Sequence, residues 1–130
     1  VNPVKYLMLI YNNAGAGPDP EAEARLQGHV TLFKELNESG TVLSSAALGD
    51  GSGVLTVRAG ARGGAPAITD GPFLEAKELL AGYYLVDCET PEEAAAIAAR
   101  IPCGVGGVVE IRPVNEEVTD VVRGDAPYRV

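Results

Sequence analysis

Tryptophan is absent from this 130-residue chain, methionine and histidine occur once each, and cysteine occurs twice. Each scarcity excludes something. A single histidine, His29, rules out a histidine-rich metal centre. Cys88 and Cys103 stand at no metal-ligand or redox spacing and lie among apolar residues, so they read as free buried thiols. Basic residues are few as well. Ten Lys and Arg face eighteen Asp and Glu, giving a net charge of −8, and the ten form no cluster. A field of that sign repels a phosphate backbone, which argues against a nucleic-acid partner. Long hydrophobic runs are missing too: residues 4–11 and 79–86 fall far short of the roughly 20 residues that span a membrane. No basic stretch followed by an apolar one opens the sequence, so the expected location is the cytoplasm, with no membrane partner.

What remains is an ordinary single-domain composition, 46% apolar, enough for a core without staples. Residues 4–11 read as a strand. A Gly/Pro/Asn loop follows, and Asp19-Pro20 resembles an N-cap with proline at the first helical position. The helix is expected to run to about Ser39, with Leu26, His29, Val30, Phe33 and Leu36 on one face and Gly40 as its stop. Residues 41–48 and 54–58 read as strands joined by a glycine-rich loop, and 66–69 as a short one. Residues 79–88 form a strong strand, and Thr90-Pro91-Glu92-Glu93 is a capping box. The second helix places Ala94, Ile97, Ala98 and Ile101 inward and ends before Pro102. Residues 108–112 are the last strand. The order predicts an α+β, ferredoxin-like β-α-β-β-α-β fold with an inserted hairpin, over residues 1–114. Residues 115–130 read as a polar, irregular tail or partner-binding arm.

The first strand is apolar at both parities: Val4, Met8 and Ile10 on one side, Leu7 and Leu9 on the other. Helices in this fold cover one face only, so the other requires a second cover. The simplest cover is a second copy, sheet against sheet, which predicts a homodimer of the α/β-barrel type.

The run Thr69-Asp70-Gly71-Pro72-Phe73-Leu74-Glu75-Ala76-Lys77-Glu78 closely resembles the signature of the DGPF group of YCII-related proteins. Lys5-Tyr6-Leu7-Met8-Leu9-Ile10-Tyr11, His29, Gly82-Tyr83-Tyr84-Leu85-Val86 and Val109-Glu110-Ile111-Arg112-Pro113 resemble other parts of that family in the same order. The resemblance implies a dimeric α/β barrel, and some relatives act on small organic molecules. It also implies a His–Asp pair. His29 fits its first member, but the expected Asp-Pro after the second helix reads Ile101-Pro102 here. Asp70 is the candidate replacement. Its own chemistry also suits a turn, because Asp before Gly accepts nearby backbone N–H bonds, with Phe73 expected to anchor that turn in the core.

His29 on an apolar helix face suits either acid–base work near neutral pH or a hydrogen-bonded place in a pocket wall. Tyr6 and Tyr84 are candidate ligand-binding phenols on strands. Arg112 shares a face with Glu110 and serves either as its salt-bridge partner or as an anion holder. The glycine loop at 49–53 lacks the GK[ST] of a phosphate loop and precedes a strand. Two functions follow. One is a small enzyme, without a cofactor, doing lyase, isomerase, cyclase or dehydrohalogenase chemistry on a small organic molecule, aromatics included. His29 would be its base, Asp70 the orienting acid and a tyrosine the oxyanion partner. The other is a non-catalytic dimeric module that binds a metabolite or protein.

Overall fold

At the centre lies β1 (Val4–Asn13), whose Tyr6, Met8 and Ile10 are buried while the alternate Lys5, Leu7, Leu9 and Tyr11 are half-buried. The computed structural model describes residues 3–13, 17–73 and 78–128. After β1 come α1 (Ala22–Glu38), β2 (Val42–Ala47), β3 (Leu55–Arg58), β4 (Ala67–Asp70), β5 (Glu78–Cys88), α2 (Pro91–Ala99), β6 (Val108–Pro113) and α3 (Glu116–Arg123). Four strands form one antiparallel sheet in the order β2-β5-β1-β6, and β3 with β4 forms a separate ribbon. With the ribbon set aside, this is the ferredoxin-like order. Every strand expected from the sequence is present, shifted by a residue or two at its ends.

α1 and α2 cover the face that carries Met8, Tyr84, Val86 and Cys88, and their own Leu32, Leu36, Ala94, Ile97 and Ala98 complete the core. The α2 start is the expected one: Thr90 accepts from the Glu93 N–H at 3.1 Å, and Pro91 occupies the first turn. α1 departs from expectation at two points. It begins at Ala22, because the Asp19 carboxylate accepts from the Glu21 N–H (3.0 Å) and holds the preceding turn outside the helix. Its buried positions are Leu32 and Leu36, whereas Leu26 and Val30 are 59% and 53% exposed. The helix therefore presents one edge to the core and leaves a second apolar edge open.

Two further corrections fall outside the helical layer. Phe73 does not anchor its turn in the core: it is 63% exposed and lies beneath the Arg58 guanidinium, 5.2 Å from ring centroid to cation. The turn is held instead by its backbone. Gly71, at φ +91°, donates its N–H to the Val54 carbonyl (2.7 Å), and Thr56 Oγ1 donates to the Gly71 carbonyl (2.6 Å). The stretch after residue 114 is not irregular throughout. Asn115 caps α3 by accepting from the Val118 N–H at 3.1 Å. Lys5 on β1 pairs with Glu116 at 2.8 Å, and the Tyr128 ring sits under both Lys5 (5.4 Å) and Arg123 (3.9 Å). The arm thus folds back over the sheet face that the helices leave open. Among the described residues, no helix is long and apolar enough to cross a membrane.

Candidate functional site

The open edge of α1 forms one wall of a cleft of about 650 Å³, with β2 and β5 as its floor and Pro102 at one side. That volume lies within the range of small-molecule sites. The floor owes its depth to two local features. Gly82 on β5 is buried and carries no side chain, and a Cβ there would come within 2.8 Å of the Ala46 carbonyl oxygen. Beside it the register of β1 on β5 slips between Ile10 and Tyr11, which leaves Ala81 as a bulge residue and turns it toward the cleft.

His29 and Tyr84 meet in this cleft. The Nδ1 of His29 lies 2.7 Å from the Tyr84 hydroxyl, and the two rings stand edge to face at 89°. Burial pushes the imidazole below its ordinary value of 6.5, the Arg25 charge pushes it the same way, and the Pro102 carbonyl pulls it back up. Burial also raises the Tyr84 phenol, so at neutral pH it keeps its proton. The pair is therefore a neutral imidazole and a neutral phenol. A hydroxyl can donate or accept, so Tyr84 can donate to an unprotonated Nδ1 and accept from a protonated one. Both charge states of His29 keep a partner, with no carboxylate in reach among the described residues of the cleft wall.

The remaining candidates lie elsewhere. Asp70 ends β4, opposite Leu55 in the ribbon, and is exposed and outside the cleft lining. Tyr6 is buried in the core beneath the helices. Arg112 is exposed at the sheet edge, opposite Leu7. Glu75 and Lys77 of the signature fall outside the described residues. Both thiols are free, and burial raises them, Cys88 to about 11, so neither is a ready nucleophile. Among the described residues, no three His, Cys, Asp or Glu side chains gather as metal ligands.

The lining also holds residues that sequence reasoning passed over: Asn12, Arg25, Lys34, Asn37 and Ser45. Some carried a signal. Arg25 stands one turn before His29, Val30 one turn before Lys34, so both bases share the helix edge that carries the cleft wall. Ser45 pairs with Tyr84 across β2 and β5, and only knowledge of the register reveals it.

Because His29 is the only histidine, its titration gives one unambiguous NMR signal. The expected midpoint lies below 6.5. In the window between that midpoint and 6.5 the unfolded chain binds more protons than the folded one, so stability rises with pH across it. Above 6.5 this contribution is complete, and below the folded midpoint it is lost. The His29→Gln variant should lose that slope relative to the parent in urea unfolding between pH 5 and 8.

Gly28 sits within α1 directly against Pro102, where a Cβ would come within 2.8 Å of the proline ring. Alanine would gain about 1 kcal/mol in helix propensity. Overpacking against a rigid ring costs about 1–3 kcal/mol. Gly28→Ala is therefore expected to unfold at a lower temperature. It should also lower the His29 midpoint further, because the displaced Pro102 carbonyl no longer favours the charged ring. An unchanged midpoint would show that the carbonyl does not tune His29.

The family model of the YCII-related domain matches residues 4–118. An uncharacterized protein of Rhizobium meliloti (strain 1021), R00369, is 31% identical over 114 residues, covering 84% of this chain and 90% of that protein. The family match runs from the first strand through α1 and α2 and into α3, and on that extent the chain belongs to the YCII-related domain family.

Proposed function

We propose that the protein is a small enzyme of acid–base type, acting on a small organic molecule held in the cleft of His29 and Tyr84. The observation that carries this is the 2.7 Å contact between the imidazole and a phenol at the wall of an open, mostly apolar cleft. The substrate C–H or O–H gives its proton to the Tyr84 oxygen as Tyr84 passes its own proton to the unprotonated Nδ1 of His29, so the ring becomes charged and Tyr84, still a neutral phenol, turns from donor to acceptor. The proton then returns to another atom of the same molecule, or stays while a leaving group departs. Neither route calls for a redox group. Asp70 has no part in this reading unless a second chain brings it to the cleft.

The proposed working form is a homodimer through the open sheet face. Leu7, Leu9 and Leu85 on that face are only half-buried in one chain. α3 supports the same reading, because its amphipathicity is inverted. Glu116, Thr119 and Arg123 turn inward, while Val118, Val121 and Val122 are 57%, 82% and 80% exposed. The alternative, a binding module without chemistry, draws support from the lack of any Asp or Glu among the described lining residues.

The test is proton exchange. The protein is incubated in D₂O with a panel of small ketones, unsaturated lactones and phenols, and deuterium incorporation is followed by NMR. Protein-dependent exchange that vanishes in His29→Gln supports the enzyme. Exchange that persists in that variant, or binding with no exchange by any compound, removes it.

A further inference from the structure

We infer that the cleft takes an organic anion, a small apolar body bearing a carboxylate or comparable group, with Lys34 as the residue that holds the charge. This rests on the reading of the cleft as the ligand site, though not on catalysis there.

The argument begins from charge. The chain carries eighteen acidic and ten basic residues, yet the described lining of the cleft contains Arg25, Lys34 and no Asp or Glu. In a protein of net charge −8, this apolar concave surface is thus rimmed by positive charge. A cleft with low-dielectric walls concentrates that local field.

The two cations are not equivalent. Arg25 is already committed: it pairs with Asp19, with a second contact from Nη2 to Oδ1 of 3.3 Å. Its charge is largely balanced at the rim. Lys34 makes no ion pair or hydrogen bond among the described residues. It lies on the open edge of α1, one turn beyond Val30 and next to Asn37, which adds an amide donor to the same end of the cleft. The apolar side chains between them (Leu26, Val30 and Phe33) offer a surface for the body of a ligand.

The geometry also separates the two tasks. Lys34 is five residues on from His29, about 7.5 Å along the helix axis. In the inferred pose the anionic group sits at Lys34 and not against the imidazole. That matters because an anion placed against His29 would raise its pKa and favour the charged ring, against the burial that keeps it neutral. Charge at one end and the reacting atom at the other is the arrangement the cleft allows.

The experiment compares benzoate with benzamide, a neutral molecule of nearly the same shape. Each is titrated into the ¹⁵N-labelled protein, with amide shifts of Ala46, Gly82 and Val30 as the readout. Benzoate is expected to shift these signals and to bind at least tenfold more tightly than benzamide, with affinity falling as salt is added. Lys34→Gln should bring benzoate down to the level of benzamide and leave benzamide unchanged, while Lys34→Arg restores the difference. Lys34 is exposed, so neither variant threatens the fold. Equal binding of the two probes, no cleft shifts with benzoate, or full benzoate affinity in Lys34→Gln would overturn the inference. Benzoate binding that survives in His29→Gln, in a protein that shows no proton exchange, would retain the anion site and remove the enzyme.

Discussion

Substituting His29 by glutamine is expected to lower protein-catalysed proton exchange by about 10²- to 10⁴-fold, the usual contribution of a positioned base. Glutamine keeps much of the volume and a hydrogen-bonding amide toward Tyr84, so the fold and cleft should survive while the titrating group is gone. The parent protein should show activity that rises with pH through the His29 midpoint and is level at neutrality, because the neutral ring is the base and burial places its midpoint below 6.5. Tyr84→Phe should act more mildly on rate and leave the profile bell-free but displaced. The phenylalanine removes the group that exchanges donor for acceptor without removing the base. A rate unaffected by both substitutions would assign the exchange to some other residue.

The double substitution Val121→Asp with Val122→Asp is expected to raise the dimer dissociation constant by about 10²-fold or more. Both side chains are about four-fifths exposed in the single chain, so the charges should cost the protomer little. In a dimer that covers α3 they would be buried without partners, a cost of about 3–5 kcal/mol. At about 1.4 kcal/mol per tenfold, that is sufficient to separate the copies. Sedimentation velocity at micromolar concentration, paired with thermal unfolding of the same samples, distinguishes lost association from lost folding. A parent protein that sediments only as a monomer would be incompatible with the dimer. A variant that remains dimeric would place α3 outside the interface.

The legibility of this chain followed the strength of its local rules. Strand alternation, the Thr90-Pro91 cap and the inward Ala94, Ile97 and Ala98 are set by residues within a few positions of one another, and each was readable. α1 was harder because it has two apolar edges. Leu26 and Val30 share the helical spacing of the buried side chains, but tertiary packing gives the core to Leu32 and Leu36. Of the five nominated site residues, His29 and Tyr84 are 55 positions apart and are joined only by the crossing of α1 over β5. Asp70 stands out by its motif, but its own place is the end of the ribbon, which depends on no pattern within it. The helical part of the C-terminal arm was missed because α3 is short and turns its valines outward, the reverse of the usual rule.

The β3–β4 ribbon leaves the sheet and returns to it through neighbouring strands: just before the excursion, the Leu48 N–H bonds to the Ala81 carbonyl at 2.8 Å. The four-stranded ladder is therefore closed across the base of the excursion before the ribbon begins. A short turn in place of the ribbon would leave the order β2-β5-β1-β6 and every pairing on β1 intact. Thr69 and Asp70, which open the most recognisable stretch of sequence, are thus carried on a detachable module, and the four-stranded sheet beside it can be inherited, lost or refitted independently of them.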